Sequence, residues 1–532
     1  MQIYLAQVNP TVGDLAGNFE ILKKTVAANS QAHLIVFPEL FLTGYPPKGL
    51  LLNGDFLRAV EESLVKVKEF LRQYPTTSVI VGLPRRVEGK LYNSAFLIQA
   101  GEILAVYDKR NLSPFRLFDE NSYFTPGKDL KPITYAGRSL AISLGLELCS
   151  ETAKELKDLG AELIINPAAV PYQVGRWNEL WEELKTTAEQ VGLPVLRVGQ
   201  VGTNDELVFA GGTAALAGDG KQLSSSPDFS EGGAVVNLAA VDSGEEFEGA
   251  DETAEIYRAL VLSLRDYARK TGIRKGIIGI SGGLDSAVSA VIACEALGAE
   301  NIRAVTQPGP YTLPEGLVDA KNLAKNLGLD LDVLSINSLY QAVVSYFGEE
   351  FTHSEVDVAK ENIQARLRGN LLMVLSNRFG GLVLTNSNKS ELAMGYTTLY
   401  GDMCGGMAVL GDVYKTQVYQ LAYYINRERE IIPWHTIEKP PSAELRPNQR
   451  DDESLPPYDV LDGILSAYLD QGLAPSEIMQ DFPPETVRWV IRTAERNEYK
   501  RRQAALIPRI TTPISGLERQ MPIAAVKEVG EI

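Results

Sequence analysis

Up to about residue 240, short apolar runs alternate with polar stretches. IYLAQV (3–8), HLIVFPEL (33–40), SVIVGLP (78–84), SAFLIQA (94–100), LAISLG (140–145), ELIINPAA (162–169) and PVLRVGQVG (194–202) have the length and β-branched content of strands. NFEILKKTVAANSQ (18–31) and RWNELWEELKTTAEQVG (176–192) carry the helical period between them. Many strands with interspersed helices predict an α/β domain of layered sheets over residues 1–240. Residues 241–255, beginning VDSGEEFEGADETA, are acidic and poorly periodic and read as a linker. From 256 to 532 the order changes. An amphipathic helix, IYRALVLSLRDYARKTG (256–272), leads into the strand KGIIGI (275–280), a helix, the strands IRAVTQPG (302–309) and LDVLSIN (331–337) with a helix at 319–328 between them, and the strand GLVLTN (381–386). This βαβ order predicts a doubly wound parallel sheet.

Composition narrows the class. A chain of 532 residues, 45% apolar, buries sizeable cores without disulfide staples. Its three cysteines, Cys149, Cys294 and Cys404, form no CxxC pair, which argues for a reducing compartment and against structural zinc. The three histidines, His33, His353 and His435, are too scattered for a histidine metal site or a Ser-His-Asp triad. A formal charge of −17 argues against nucleic-acid partners. There is no basic leader and no apolar run of about 18 residues, so a soluble cytoplasmic protein with no membrane contact is expected.

The strongest chemical signal is GISGGLDSAV (279–288). Ser281, Gly282 and Gly283 end a strand; Leu284, Asp285 and Ser286 open a helix. Glycines let backbone N–H groups approach an anion, and the helix points its positive end at the same spot. The lysine of a Walker A loop is absent, which excludes a P-loop NTPase. The SGGxDS pattern resembles the pyrophosphate loop of the ATP-pyrophosphatase superfamily. Residues 361–422, containing TNSNKSELAMGY, are similar to NAD synthetases, as are PPSAELRPNQRDDESLPPYDVLD (440–462) and NEYKRRQA (497–504). That resemblance implies a reaction in which the carboxylate of deamido-NAD is adenylated by ATP and the adenylate is then aminated. It implies ATP contacts at Ser281, Gly282, Gly283, Leu284, Asp285, Ser286, Lys415 and Ser442, and Mg2+ at Asp285 and Glu391. Asn362, Arg366, Glu391, Asp402 and Lys500 become candidates for binding deamido-NAD. The family pattern TTGNKSE reads TNSNKSE here, so Asn386 stands where a threonine contacts ATP.

In the first half, AQVNPTVGDLAGN, FPELFLTGYPP and YDKRNLSPFRLFDENSYFTPG are similar to the nitrilase-type glutaminase domain of two-domain NAD synthetases. The resemblance implies an α-β-β-α sandwich that hydrolyses glutamine with a Glu–Lys–Cys triad. Glu39 matches the base, Lys109 the lysine and Glu120 a further carboxylate. The nucleophile departs from the pattern. In the register of GxxxGVxICEDxW, Gly145 takes the thiol position, or Leu144 if a gap is moved, and Cys149 falls one helical turn later. Phe115, Ala169 or Val170, and Ala210 replace residues tied to the amide substrate. We therefore expect an NAD synthetase with a vestigial glutaminase domain, fed by free ammonia. The competing expectations are glutamine hydrolysis by a shifted nucleophile, Cys149; a non-catalytic scaffold; and a mononucleotide substrate. The resemblance also implies a homo-oligomer.

Overall fold

The computed structural model describes residues 1–114, 118–226, 228–238, 251–349, 351, 356–447, 449, 451, 454–511 and 523. Two compact units divide the chain, Met1–Ala250 and Asp251–Ile532.

The first unit holds two six-stranded sheets. One runs in the order Gly232–Asn237, Gln2–Gln7, Leu34–Val36, Ser78–Val87, Lys90–Gln99, Glu102–Asp108. The other runs Gln222–Ser225, Ala214–Leu216, Val195–Gly199, Leu163–Ala168, Arg138–Ile142, Ile133–Tyr135. Ile3, Leu5, Leu34 and Val36 from the first share one core with Ile142, Ile164 and Leu196 from the second. The alternate residues Ala6, Val8, Ile35 and Phe37 pack instead with Leu22, Val60 and Val67 of the helices Leu15–Ala28 and Gly54–Leu71. Helices Ser150–Asp158 and Arg176–Val191 add Leu156, Leu184 and Ala188 on the side of the second sheet. The period-2 pattern thus builds the layered α/β sandwich.

Two strand ends position the chemistry. HLIVFPEL pairs only over Leu34–Val36. Pro38 has no N–H to give a ladder, and the chain turns there, burying Glu39. The run LAISLG stops pairing at Ile142, and Gly145 opens a short 3-10 turn, Gly145–Glu147.

The second unit is built on a five-stranded, all-parallel sheet in the order Leu331–Val333, Ile302–Thr306, Gly276–Gly279, Leu382–Thr385, Met407–Ala408. The helix expected from residue 256 begins earlier, at Glu252, because Asp251 caps it by accepting from Thr253 N at 3.0 Å. Acidic Glu252 and Glu255 in its first turn favour the positive helix end. Residues 252–255 therefore belong to a helix, which corrects their reading as linker. Residues 241–250 lie outside the described residues, as do Phe115 and His353. No helix among the described residues is long and apolar enough to cross a membrane.

Candidate active sites in the two units

In the first unit Lys109 follows the edge strand Glu102–Asp108 and is 2% exposed. Its Nζ donates to Glu39 Oε1 at 2.7 Å and pairs with Glu120 Oε2 at 2.8 Å. Asn93 Nδ2 donates to both acids, at 2.8 Å to Glu39 and 3.1 Å to Glu120. Ser113 N donates to Glu120 Oε2 at 2.8 Å. Burial pushes the Glu39 pKa up, against the pull of Lys109. Burial alone would lower the Lys109 pKa; the two carboxylates outweigh it and hold the ammonium above its ordinary value.

Gly145 faces this cluster. Its backbone is left-handed, with φ +57, and a Cβ there would lie 2.5 Å from Glu39 Oε2 and 3.2 Å from Lys109 Nζ. Its carbonyl accepts from Asn166 Nδ2 at 3.0 Å. The Leu144 side chain packs in the core instead. Cys149 is exposed, immediately before the helix Ser150–Asp158, and its thiol contacts Thr152 Oγ1 at 3.4 Å. Glu147 carries no motif in the sequence. Its buried carboxylate accepts from Tyr107 OH (2.7 Å), Arg110 N (2.9 Å), Asn111 N (3.1 Å) and Leu144 N (3.1 Å). It thereby ties the Gly145 turn to the turn carrying Lys109. Ala169 packs with Leu40, Tyr45, Phe118 and Phe209 in an apolar cluster, with Tyr45 and Phe118 edge to face at 5.3 Å. Ala210 is fully buried and Val170 partly so.

In the second unit the central strand Gly276–Gly279 runs into the glycine turn. Gly282 has φ +87, and a Cβ there would overlap Gly316 O, so only glycine fits. The Ser281 and Ser286 hydroxyls, expected to face a phosphate, close the turn on itself. Gly283 N donates to Ser281 Oγ at 3.1 Å, and Ser286 Oγ donates to Gly283 O at 2.9 Å. Leu284 opens the helix Leu284–Leu297. Beside it, Lys415 Nζ forms an ion pair with Asp285, and Asn388 Nδ2 donates to Asp285 Oδ1 at 2.9 Å. Withdrawal from solvent and then the neighbouring Asp285 push the Glu391 pKa well up, against Lys415. Burial alone would lower the Lys415 pKa, and Asp285 and Glu391 hold it above its usual value. The chemistry of two carboxylates beside a glycine turn suits Mg2+, which takes one or two acids plus phosphate oxygens. No cluster of three or more His, Cys, Asp or Glu arranged for a metal occurs among the described residues.

Asn386 Nδ2 donates to Gly279 O at 2.9 Å, at the foot of the turn. Ser442 Oγ donates to Gln449 O at 2.6 Å within its own loop. That loop reaches the start of the helix Pro314–Leu327 through Glu444, which accepts from Leu313 N at 3.2 Å. Of the substrate candidates, Glu391 lies beside Asp285 and Lys415, and the other four bond the segment 395–402. Thr398 Oγ1 donates to Asn362 Oδ1 (2.7 Å) and Thr398 N to Asp402 Oδ1 (2.6 Å). Arg366 Nε donates to Leu399 O (3.2 Å), and Lys500 Nζ to Gly395 O and Thr397 O, both at 2.7 Å. Asp451, within NQRDDES, carries no signal in the sequence that sets it apart from its acidic neighbours. It is buried, accepts from Tyr458 OH at 3.1 Å, and acts electrostatically on Glu391.

Comparison with known proteins agrees with this division. Residues 3–246 match the carbon-nitrogen hydrolase family model and residues 256–504 the NAD synthase model. The chain is 40% identical to the glutamine-dependent NAD(+) synthetases of Aquifex aeolicus, over 98% of this chain and 99% of the relative, and of Thermotoga maritima, over 98% of each. Among solved structures it resembles the glutamine-dependent NAD+ synthetase of Acinetobacter baumannii in complex with ADP, with a TM-score of 0.79 and 36% identity over 98% of this chain and 97% of that one. The enzyme of Cytophaga hutchinsonii shares the fold, with a TM-score of 0.83 at 20% identity over 99% and 98%. A nitrilase-like sandwich joined to an ATP-using parallel-sheet ligase makes this chain a member of the two-domain NAD+ synthetase family.

Proposed function

We propose that this NAD+ synthetase adenylates deamido-NAD with ATP and aminates the adenylate with ammonia taken from solution. The carboxylate of the nicotinic acid moiety attacks the α-phosphorus and pyrophosphate leaves. Ammonia then adds to the acyl carbon, AMP departs, and the amide loses a proton to solvent. The work asked of the protein is charge neutralisation and alignment. Lys415 meets phosphate charge, the helix Leu284–Leu297 turns its positive end to the triphosphate, and Asp285 and Glu391 would hold Mg2+. That ion, when bound, supplies further neutralisation of the triphosphate. Asn362, Arg366, Asp402 and Lys500 hold the dinucleotide.

One observation carries the choice of nitrogen source: Gly145 presents hydrogen, not sulfur, to Glu39 and Lys109. A base and an ammonium without a nucleophile have no acyl-enzyme route. The relatives' names favour a second reading, glutamine as the nitrogen source, for which Cys149 is the candidate nucleophile in this chain. We prefer the first because a relative's name supplies no thiol here, and Cys149 is exposed with its contact to Thr152. A displacement of about 1 Å already costs about a hundredfold in rate.

The test is NAD+ formation with ammonium or glutamine as sole nitrogen source, in the wild type and in Cys149→Ala. We expect turnover with ammonium, little with glutamine, and no effect of the substitution. Robust glutamine-supported turnover that Cys149→Ala abolishes would establish the second reading. Running deamido-NAD against the deamidated mononucleotide in the same assay decides the substrate; we expect the dinucleotide.

A further inference from the structure

Lys389, inside the NKSE motif, is fully buried, and its ammonium is enclosed. Its Nζ lies 2.7 Å from Asp470 Oδ1, 3.2 Å from Asp412 Oδ1 and 2.9 Å from Thr511 Oγ1, above the Tyr414 ring at 4.6 Å from the centroid. Three N–H donors thus meet three acceptors. Thr511 accepts from Lys389 and donates its own hydroxyl proton to Asp412, at 2.7 Å to Oδ1 and 2.8 Å to Oδ2. Asp412 Oδ2 also accepts from Ile510 N and Thr511 N, both at 2.9 Å. Burial would push the Asp412 pKa up; Lys389 and Arg509 outweigh it and hold it low, so the carboxylate is charged. Tyr414 OH closes the ring by donating to Asp470 Oδ2 at 2.7 Å.

This cluster joins the two helices that carry Glu391 and Lys415. Lys389 precedes Ser390 and Glu391; Asp412 and Tyr414 precede Lys415. The helices Lys389–Met394 and Lys415–Ile425 are already linked directly, by Lys389 N to Val413 O (2.8 Å) and Lys415 N to Ser390 Oγ (3.0 Å). Ile510 and Thr511 add a third support from a distant part of the chain. Leu506 runs alongside the edge strand and accepts from Ala408 N at 2.8 Å, which leads the chain to this point. The NAD synthase family match ends at residue 504, so this support lies outside it.

We propose that Thr511 and Asp412 are positioning residues of the synthetase reaction: they fix Lys389 and thereby the spacing of Glu391 from Lys415 across the bound triphosphate. The inference rests on the roles assigned above to Glu391 and Lys415. Neither Thr511 nor Asp412 touches substrate in it. Misplacing charged groups by a fraction of an ångström lowers turnover more than it loosens dinucleotide binding, which is made around residues 395–402.

The experiment uses the full chain. Thr511→Val keeps the shape and removes the hydroxyl's hydrogen bonds to Lys389 and Asp412; Thr511→Ser keeps them. Deamido-NAD-dependent ATP–pyrophosphate exchange is measured with melting temperature, and rates are normalised to folded protein. We expect Thr511→Val to lower kcat at least tenfold with KM for deamido-NAD within about threefold, and Thr511→Ser to stay within about twofold of wild type. A lowered melting temperature with unchanged kcat per folded molecule, or equal kinetics in the two variants, overturns the proposal. Should Thr511→Val not fold, Asp412→Asn with the same readouts decides by the same criteria. Lys415→Met run alongside separates the two levels. If that variant exchanges normally, the reading of the phosphate site fails; if it is inactive while Thr511→Val is normal, only the positioning role fails.

Discussion

Gly145→Ala and Gly145→Cys together test the proposal that Gly145 stands at the position of a missing nucleophile. Both add a Cβ where 2.5 Å separates it from Glu39 Oε2 and 3.2 Å from Lys109 Nζ. Ordinary contact begins near 3.4 Å, so the Glu39 carboxylate must retreat by roughly 1 Å, which its flexible stem permits. The backbone sets the larger penalty. At φ +57 a side chain costs about 1–2 kcal/mol relative to glycine. In a unit of this size each kcal/mol corresponds to about 2–4 °C, so both variants should melt roughly 2–8 °C lower by calorimetry. Their shared strain cancels in the comparison and leaves the thiol as the only difference. Glutamate release from glutamine is then followed in each. We expect slow release with Gly145→Cys alone, because Ala169 or Val170, and Ala210, stand where the resemblance implies substrate contacts, and its loss when Lys109→Met is added. Unchanged melting in both variants, or release that survives Lys109→Met, would refute the reasoning.

Three further outcomes follow from the same geometry. The Glu39 pKa is raised, so its carboxyl holds a proton in the folded state that the unfolded chain has already released above about 4.5. Stability of the first unit should therefore fall as pH rises from that value through the raised one, and Glu39→Gln should flatten the fall in pH-dependent melting; a steeper fall would reverse the sign. Asn386→Asp turns an acceptor toward Gly279 O and the phosphates, and KM for ATP should rise about tenfold or more, while Asn386→Thr should stay within about threefold. Equal values for the two would exclude a role for the amide in nucleotide binding. Light scattering on the full chain should give a multiple of 58.2 kDa, and a monomer mass would refute the oligomer expected from the resemblance.

Part of this site was legible in one dimension. SGGLDS and NKSE are contiguous, and their glycines and charges act within one turn of the chain. The register GxxxGVxICEDxW singled out Gly145, because a strand ending in a short turn leaves little freedom over five residues. Cys149, four residues on, is exposed just before the helix Ser150–Asp158, with its thiol against Thr152. Asn93, which bonds the two acids, is 54 residues from Glu39 and carries no local pattern. Glu147 reads in sequence as one more helix-flanking acid.

The alternation of apolar and polar positions determined the layers of the first unit, and the order of continuous apolar runs and helices determined the parallel sheet of the second, since burying a strand or helix face depends on its own pattern. It determined the glycine turn as well, where backbone conformation is a property of the residue. Tertiary structure alone decided which charges meet. Lys389 finds Thr511 across 122 residues, and Lys415 finds Asp285 across 130. Such pairs are fixed by how strands order in a sheet and helices stack on it, and a buried charge accepts whichever partner that packing brings within hydrogen-bonding reach.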